Sequence, residues 1–271
     1  VRRPPTSTLV GAGLLAALVV VAVAAPLVAP HDPEAVSGAR VLGLPDAAHP
    51  FGSDVLGRDV LSRTVYALRV SLLVTVAAVG VAVALAVPLG LLAGYAGGWV
   101  DTLVSRPLDM LLVLPALLLA ISLIAILGPG STVAALAIAV IYLPILARVM
   151  RSSALVVSSA EYVVGARTRG AGPVRTALTH VLPNAVGPLV VQASVLSGFA
   201  LQLEAALSFL GLGTQPPTPS LGGMLADGRD VLTQAPWVEV FPGLAIVVAV
   251  VAFSLLGEGL RASLDPRGVS R

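Results

Sequence analysis

Residues 158–183 read SSAEYVVGARTRGAGPVRTALTHVLP, a polar, Arg-bearing interruption in an otherwise apolar sequence. Ser158 and Glu161 have the S-x-x-E spacing of a capping box, in which a hydroxyl oxygen and a carboxylate satisfy free amides at a helix start. The spacing predicts a short helix beginning near Ser159. Gly170, with Gly172 two residues on, supplies the permissive backbone that ends a helix in a left-handed turn, and Pro173 suits the first position of the next helix. Two short helices joined by a glycine corner are expected. In the first, Tyr162, Val163 and Ala166 make a small apolar face opposite Arg167. In the second, Val174, Ala177, Leu178 and Val181 recur at i, i+3, i+4 and i+7, and Pro183 is expected to end it. Taken alone, the pattern describes an amphipathic hairpin between longer apolar runs.

Those runs set the class. Of the 271 residues, 57% are hydrophobic, above the roughly 45–50% of soluble domains, and mean hydropathy is +0.98. The chain is a polytopic membrane protein, expected to be all-α with six transmembrane helices. It has no Cys, which excludes thiol nucleophiles, disulfides and thiolate metal sites. Every one of the 16 basic residues is Arg, and without Lys there is no Walker A loop to hold nucleotide phosphates. A net charge of +2 is too small to point to nucleic acid, so the Arg residues read as topology signals.

Arg2 and Arg3 precede a first apolar run, Thr8 to Ala29, long enough to span. A basic start, an apolar run and Ala22-Val23-Ala24 also fit a secretory signal peptide, although the run exceeds the about 7–15 residues of such a segment. Residues 30–69 are the longest hydrophilic connection. Within them Leu56, Val60, Leu61, Val65 and Leu68 share a helical face opposite Arg58, Asp59 and Arg63, which predicts an amphipathic interfacial helix from Asp54 to Leu68 with its charges solvated. Further spans are expected at Val70–Gly94, with Pro88 and Gly90 as a candidate kink, at Pro107–Leu127 and at Ser131–Met150. A short inner connection carries Trp99 and Arg106. After the polar stretch come spans at Ala185–Phe209 and Trp237–Gly257, joined by a Pro-rich outer segment with a short helix ending at Trp237. Three parts follow: residues 1–69 with the first span and outer loop, a core of five spans over 70–260 containing the loop at 151–184, and a tail at 261–271.

Eleven of the 16 Arg residues fall on the proposed inner segments and five, Arg40, Arg58, Arg63, Arg69 and Arg229, on the outer ones. This bias puts both termini and the 158–183 loop in the cytoplasm. In the fifth span Ser194, Gly198 and Gln202 lie four apart, a small polar face suited to close packing, the preferred reading, or to lining a wet path. Glu204 is the acid of the fifth span. An intramembrane carboxylate is a functional candidate by default, but Glu204 stands about one turn from the outer end, within reach of water.

Gly165-Ala166-x-x-x-Gly170, nine residues, then His180-x-Leu182-Pro183 resembles the cytoplasmic signature loop of ABC-importer permeases. The chain departs from the general signature at Val164, where that pattern has Glu, and at Gly165, where it has Ala; the peptide-importer branch is itself loose at the Glu position. Three further strings are similar to the dipeptide and oligopeptide branch, C-type subunit: HPFGSDVLGRDVLSR at 49–63, SFLGLGTQPPTPSLGGML at 208–225, and the tail from Leu260 to Arg267. The resemblance implies the type I importer permease fold, a second homologous permease subunit, two ABC ATPase subunits on separate chains, and an extracytoplasmic substrate-binding protein. It also implies that the loop is a coupling helix docking on an ATPase through Glu161, Tyr162, Gly165, Ala166, Arg167, Gly170, Leu182 and Pro183, with Tyr162 and Ala166 filling its groove. ATP would be used by partner subunits and no cofactor bound by this chain.

Two other classes remain open on the residues alone. An ion-coupled secondary transporter would need midplane ionisable groups, for which only Glu204 is a candidate. A membrane scaffold with a recruiting hairpin would account for the loop. Peptide is the expected cargo, with nickel, glutathione or another small solute as alternatives carried by similar proteins. His31, His49 and His180 are far apart and show no ligand spacing, so no metal site is expected. His49, Asp54 and Asp59 read as solvated surface rather than catalysis.

Overall fold

The computed structural model describes residues 6–36 and 40–264. The expectations on Arg2 and Arg3 and on the end of the tail, residues 265–271, lie outside them. Among the described residues every extended element is helical, apart from one isolated bridge between Ser53 and Asp59. The first span is divided into α1 (Thr6–Val23) and α2 (Ala25–Val28), with Pro26 in the first turn of α2. α3 (Val60–Ala96) is a single 37-residue helix that carries Pro88 without a break. The expected interfacial helix and second span are therefore one element, starting at Val60 rather than Asp54.

α4 (Gly98–Leu111) occupies what was expected to be a loop, and α5 (Ala116–Leu127) leaves it at a 90° bend. The third span is thus broken. Pro107 is accommodated inside α4, whereas Pro115 lacks a donor and holds Leu114 away from helical geometry, so the break falls there. α6 (Ser131–Ser158) continues past the expected end at Met150. α7 (Glu161–Thr168) and α8 (Pro173–Thr176) follow, then a π turn (Ala177–Val181) that runs directly into α9 (Leu182–Phe209). Pro183 does not stop the second short helix as expected. It sits in the first turn of α9, where a missing N–H is tolerated. α10 (Leu221–Arg229) ends before the expected Trp237, which instead opens α11 (Trp237–Leu264).

Among the described residues, five helices or helix runs are long and apolar enough to cross a membrane, α1, α3, α6, the run from Pro173 to Phe209, and α11; counted as one span, the bent α4–α5 pair makes a sixth. α3 packs most extensively on α6. Their backbones touch because α3 presents Gly90 and Gly94, where a Cβ would lie 2.5 Å from the carbonyl oxygens of Ala147 and Arg151 respectively. Small residues at such a crossing let dispersion contacts replace the hydrophobic drive that lipid removes. α5 and α9 complete this core around Ala82, Ile124, Ile138, Leu146 and Leu189, and a second cluster joins α1 to α11, α10 and the outer end of α3.

The outer connection does not form a solvated amphipathic helix. It folds back as a strap, with Leu42 N donating to Asp54 O at 3.1 Å, Ser53 N to Gly43 O at 3.1 Å, and Trp237 Nε1 to Ser53 O at 3.2 Å. Asp54, Arg58, Asp59 and Arg63 are consequently buried. Asp54 accepts from Arg58 N at 2.9 Å and Nε at 2.7 Å, and the Arg63 guanidinium lies 3.5 Å from the same carboxylate. Arg58 also reaches Asp227 of α10 at 3.6 Å. Burial pushes the Asp227 carboxyl above its ordinary range, opposed by the attraction of Arg58 and Arg63.

Candidate functional site

The cytoplasmic loop is built on a corner whose geometry follows from one glycine. α7 has Ala160 as its N-cap with no side-chain bond, so the expected capping box is not formed. The Ser158 and Ser159 hydroxyls donate instead to the carbonyls of Ala154 (2.5 Å) and Val156 (2.8 Å), because α6 extends far enough to claim both. At the other end Gly170 has φ +85°. Its N–H donates to Arg167 O at 2.9 Å and the next, Ala171 N–H, to Ala166 O at 3.1 Å. Those two bonds make a Schellman motif, which needs a left-handed residue at that position. Gly172 is extended and Pro173 opens α8, as the sequence predicts.

The two faces of the corner have different roles. Val163 and Ala166 are buried, Val163 within the same core as Ala154 and Val181. Ala166 therefore does not share an outward face with Tyr162. Tyr162 is 49% exposed, Leu178 53% and Val174 70%, and Val164 is exposed as well. The stripe expected over Val174–Val181 is split: the π turn adds a residue to the helical repeat, burying Val181 while Leu178 points out. Glu161, Arg167, Arg169 and Arg175 are exposed on the same loop. Arg167 stacks over the Tyr95 ring at 4.5 Å from its centroid, linking the loop to the inner end of α3. Gly165 is half-buried, Leu182 half-buried and Pro183 exposed at the start of α9. Arg151 of α6 holds Asp101 of α4 through both carboxylate oxygens.

A family described as "binding-protein-dependent transport system inner membrane component" matches residues 86–268, a stretch that contains the whole corner. The chain belongs to this family. The permease is accordingly a multi-pass protein of the bacterial inner membrane. It is 40% identical over 259 residues to a dipeptide transport system permease protein of Alkalihalophilus pseudofirmus, covering 96% of this chain and 85% of that one. It is 43% identical over 263 residues to a di/tripeptide transport system permease protein of Pseudomonas aeruginosa, with 94% and 87% covered. A crystal structure of an amino acid ABC transporter with histidines superposes with a TM-score of 0.59 at 16% identity, over 75% of this chain and 95% of that one. The shared architecture is the ABC importer permease fold.

Within the spans of the permease, Ser194, Gly198, Gln202 and Glu204 of α9 meet different surroundings. Ser194 lines an apolar groove of about 230 Å³ between α3, α9 and α11, but its hydroxyl bonds back to Val190 O at 3.0 Å. Gly198 is buried where α9 crosses α11, with Phe253 Cβ 3.5 Å from the position a Cβ would take. Gln202 is exposed. Glu204, expected to reach water, is 1% exposed; its Oε1 accepts from Ser208 Oγ at 2.8 Å, and Ser208 Oγ accepts from Thr214 N at 3.3 Å. The carboxyl ties the end of α9 to the turn before the Pro-rich segment.

One group of residues escaped the spacing. His31, at the exit of α2, and His49, in the strap, stack with ring centroids 4.5 Å apart, and both face Asp59. These three residues converge although the sequence shows no ligand spacing among them. Gaps of 18 and 10 residues across a folded-back strap leave no local signature.

Proposed function

We propose that this chain is one of two homologous permease subunits of an ATP-driven importer for dipeptides or short oligopeptides. The peptide class is supported by the two permeases above, which are named for dipeptide and di/tripeptide transport and align over nearly the whole chain. Two ABC ATPase subunits, on separate chains, bind and hydrolyse ATP, and an extracytoplasmic binding protein delivers the substrate. This chain takes part in transport without a nucleotide or an ATPase site of its own. Its outward apolar faces, such as Leu73 and Val76 of α3, meet lipid.

The observation that carries the mechanism is the two-sided corner. Val163 and Ala166 fix it to the body of the permease, while Tyr162, Val174 and Leu178 stand exposed on a loop that also exposes Glu161, Arg167 and Arg175. Large apolar side chains exposed on an otherwise polar loop mark a docking face. Tyr162 serves as the anchor in the ATPase groove, with Leu178 beside it, and Glu161, Arg167, Pro183 and Leu182 set the rim. Closure of the ATPases moves the corner as a rigid piece, and α6, α7 and α9 carry the movement into the spans.

The test is reconstitution with the neighbouring permease and ATPases in liposomes, following uptake of a labelled dipeptide. Tyr162→Glu and Leu178→Glu are expected to insert normally yet lose ATPase association by about 10-fold or more, as for anchors that dominate an interface. Uptake that survives both changes, or runs on an ion gradient without ATP, overturns the mechanism. ATP-driven uptake of nickel or another solute in place of peptide overturns the substrate class alone.

A further inference from the structure

We propose that His31, His49 and Asp59 form a binding site for a divalent transition-metal cation of the zinc class on the outer face of the permease. One ligand atom from each residue lies within 4.8 Å of the others. His49 Nδ1 is 3.0 Å from Asp59 Oδ1 and His31 Nδ1 is 4.0 Å from Asp59 Oδ2. Ligands held about 2.0–2.1 Å from a tetrahedral ion stand roughly 3.4 Å apart, so the two separations straddle the required value. Closing the set takes shifts of up to about 1.4 Å and a turn of the His rings out of their stack.

The residues are prepared for that shift unequally. Asp59 is fully buried, and its Oδ2 accepts from both Ser62 N and Ser62 Oγ at 2.7 Å. The same Ser62 Oγ accepts from His31 N at 3.1 Å, so one residue positions two of the ligands, the kind of outer support that metal sites use. His31 is the adjustable member. Its side chain is one-third exposed, and its Nδ1 is buried without a hydrogen-bond partner, so ligation would replace nothing. His49 would exchange its hydrogen bond to Asp59 for the ion.

Charge points the same way. A buried carboxylate needs a counter-charge. Among the described residues, the ion-pair contacts of Asp59 are these two imidazoles alone, because Arg58 and Arg63 are engaged by Asp54. Two imidazoles and one carboxylate suit zinc, nickel or copper rather than calcium or magnesium, which take oxygen ligands. Both His residues border open grooves, His31 beside Glu34 and Tyr66, His49 beside Asp46 and Gln234, leaving a route for the ion and room for a water as fourth ligand. A bound ion would join the exit of the first span, the strap and the start of α3.

The experiment uses the untagged full chain, purified in detergent and stripped with a chelator. It is dialysed against Zn²⁺, and separately against Ni²⁺ and Ca²⁺, with bound metal and thermal melting measured. Expected are one Zn²⁺ per chain, displaced by Ni²⁺ but not by Ca²⁺, and a melting temperature raised by Zn²⁺. His31→Ala, which breaks no side-chain hydrogen bond, should weaken Zn²⁺ at least about 10–100-fold while melting like wild type without metal. His49→Gln, which keeps a donor for Asp59, should do the same. Zn²⁺ binding that is absent in the wild type, unchanged in both variants, or matched by Ca²⁺ overturns the proposal.

Discussion

Replacing Gly170 by alanine isolates the energetic basis of the corner. A Cβ at Gly170 would meet no atom within 4 Å, so crowding adds nothing to the penalty. What remains is φ +85°, a left-handed conformation that costs an L-residue about 1–2 kcal/mol. Two hydrogen bonds, Gly170 N to Arg167 O and Ala171 N to Ala166 O, form only in that conformation. If docking requires the intact corner, a loss of this size lowers apparent ATPase affinity about 5–30-fold. Gly172 supplies the internal control. It too has open space around its Cβ, but its φ is −62° with ψ 152°, where alanine is unstrained and stabilises by about 0.4–1 kcal/mol through the unfolded chain. Asn at 170 should fall between, since it tolerates the left-handed region. The assay is titration of the purified ATPases onto the permease in detergent, with ATP-driven uptake alongside. Equal effects at the two glycines, or no effect of Gly170→Ala, would refute the reasoning.

Three other outcomes follow from contacts already described. Asp101→Ala or Arg151→Ala should destabilise the α4–α6 contact by about 1.5–3 kcal/mol, whereas the exposed Arg148–Asp109 pair should contribute about 0–1 kcal/mol; double-mutant cycles read by thermal melting in detergent separate the two. Asp54→Asn leaves Arg58 and Arg63 without their buried carboxylate and should cost about 3–5 kcal/mol, seen as a collapse of the steady-state level in membranes. Glu204→Gln keeps an acceptor for Ser208 and should transport normally, while Glu204→Leu should lose about 1–3 kcal/mol. Lost uptake in a Glu204→Gln protein that melts like wild type would place the carboxyl on the translocation path instead.

Long apolar runs, the glycine corner and Pro173 at a helix start were legible because each depends on local chemistry: span length, the left-handed preference of glycine, the missing donor of proline. The burial of Arg58, Asp59 and Arg63 was not, since the same spacing serves an exposed amphipathic face as well as a strap folded onto a neighbouring helix. The break at residues 112–115 was obscured by two prolines in one apolar stretch, Pro107 inside a helix and Pro115 at the bend. Val174 and Leu178 were placed on one stripe with Val181 because a 3.6-residue repeat cannot anticipate a π turn. Glu204 was misplaced toward water because the turn that covers it, through Ser208 and Thr214, is a tertiary contact.

The stacking of Arg167 on Tyr95 gives the 37-residue α3 a mechanical meaning. Tyr95 lies one residue from the inner tip of a rod about 55 Å long, well beyond the roughly 30 Å hydrocarbon layer. At the far tip, Asp59 caps the rod and Arg63 clips it to the strap through Asp54 and Pro33. Each degree of tilt about its midpoint would move either tip by roughly 0.5 Å, so a few degrees imposed at Arg167 are enough to stretch or release the hydrogen bonds around Asp54. In the proposed mechanism, a pull on the corner would thus arrive on the opposite side of the membrane as leverage on the strap, carried by one continuous helix.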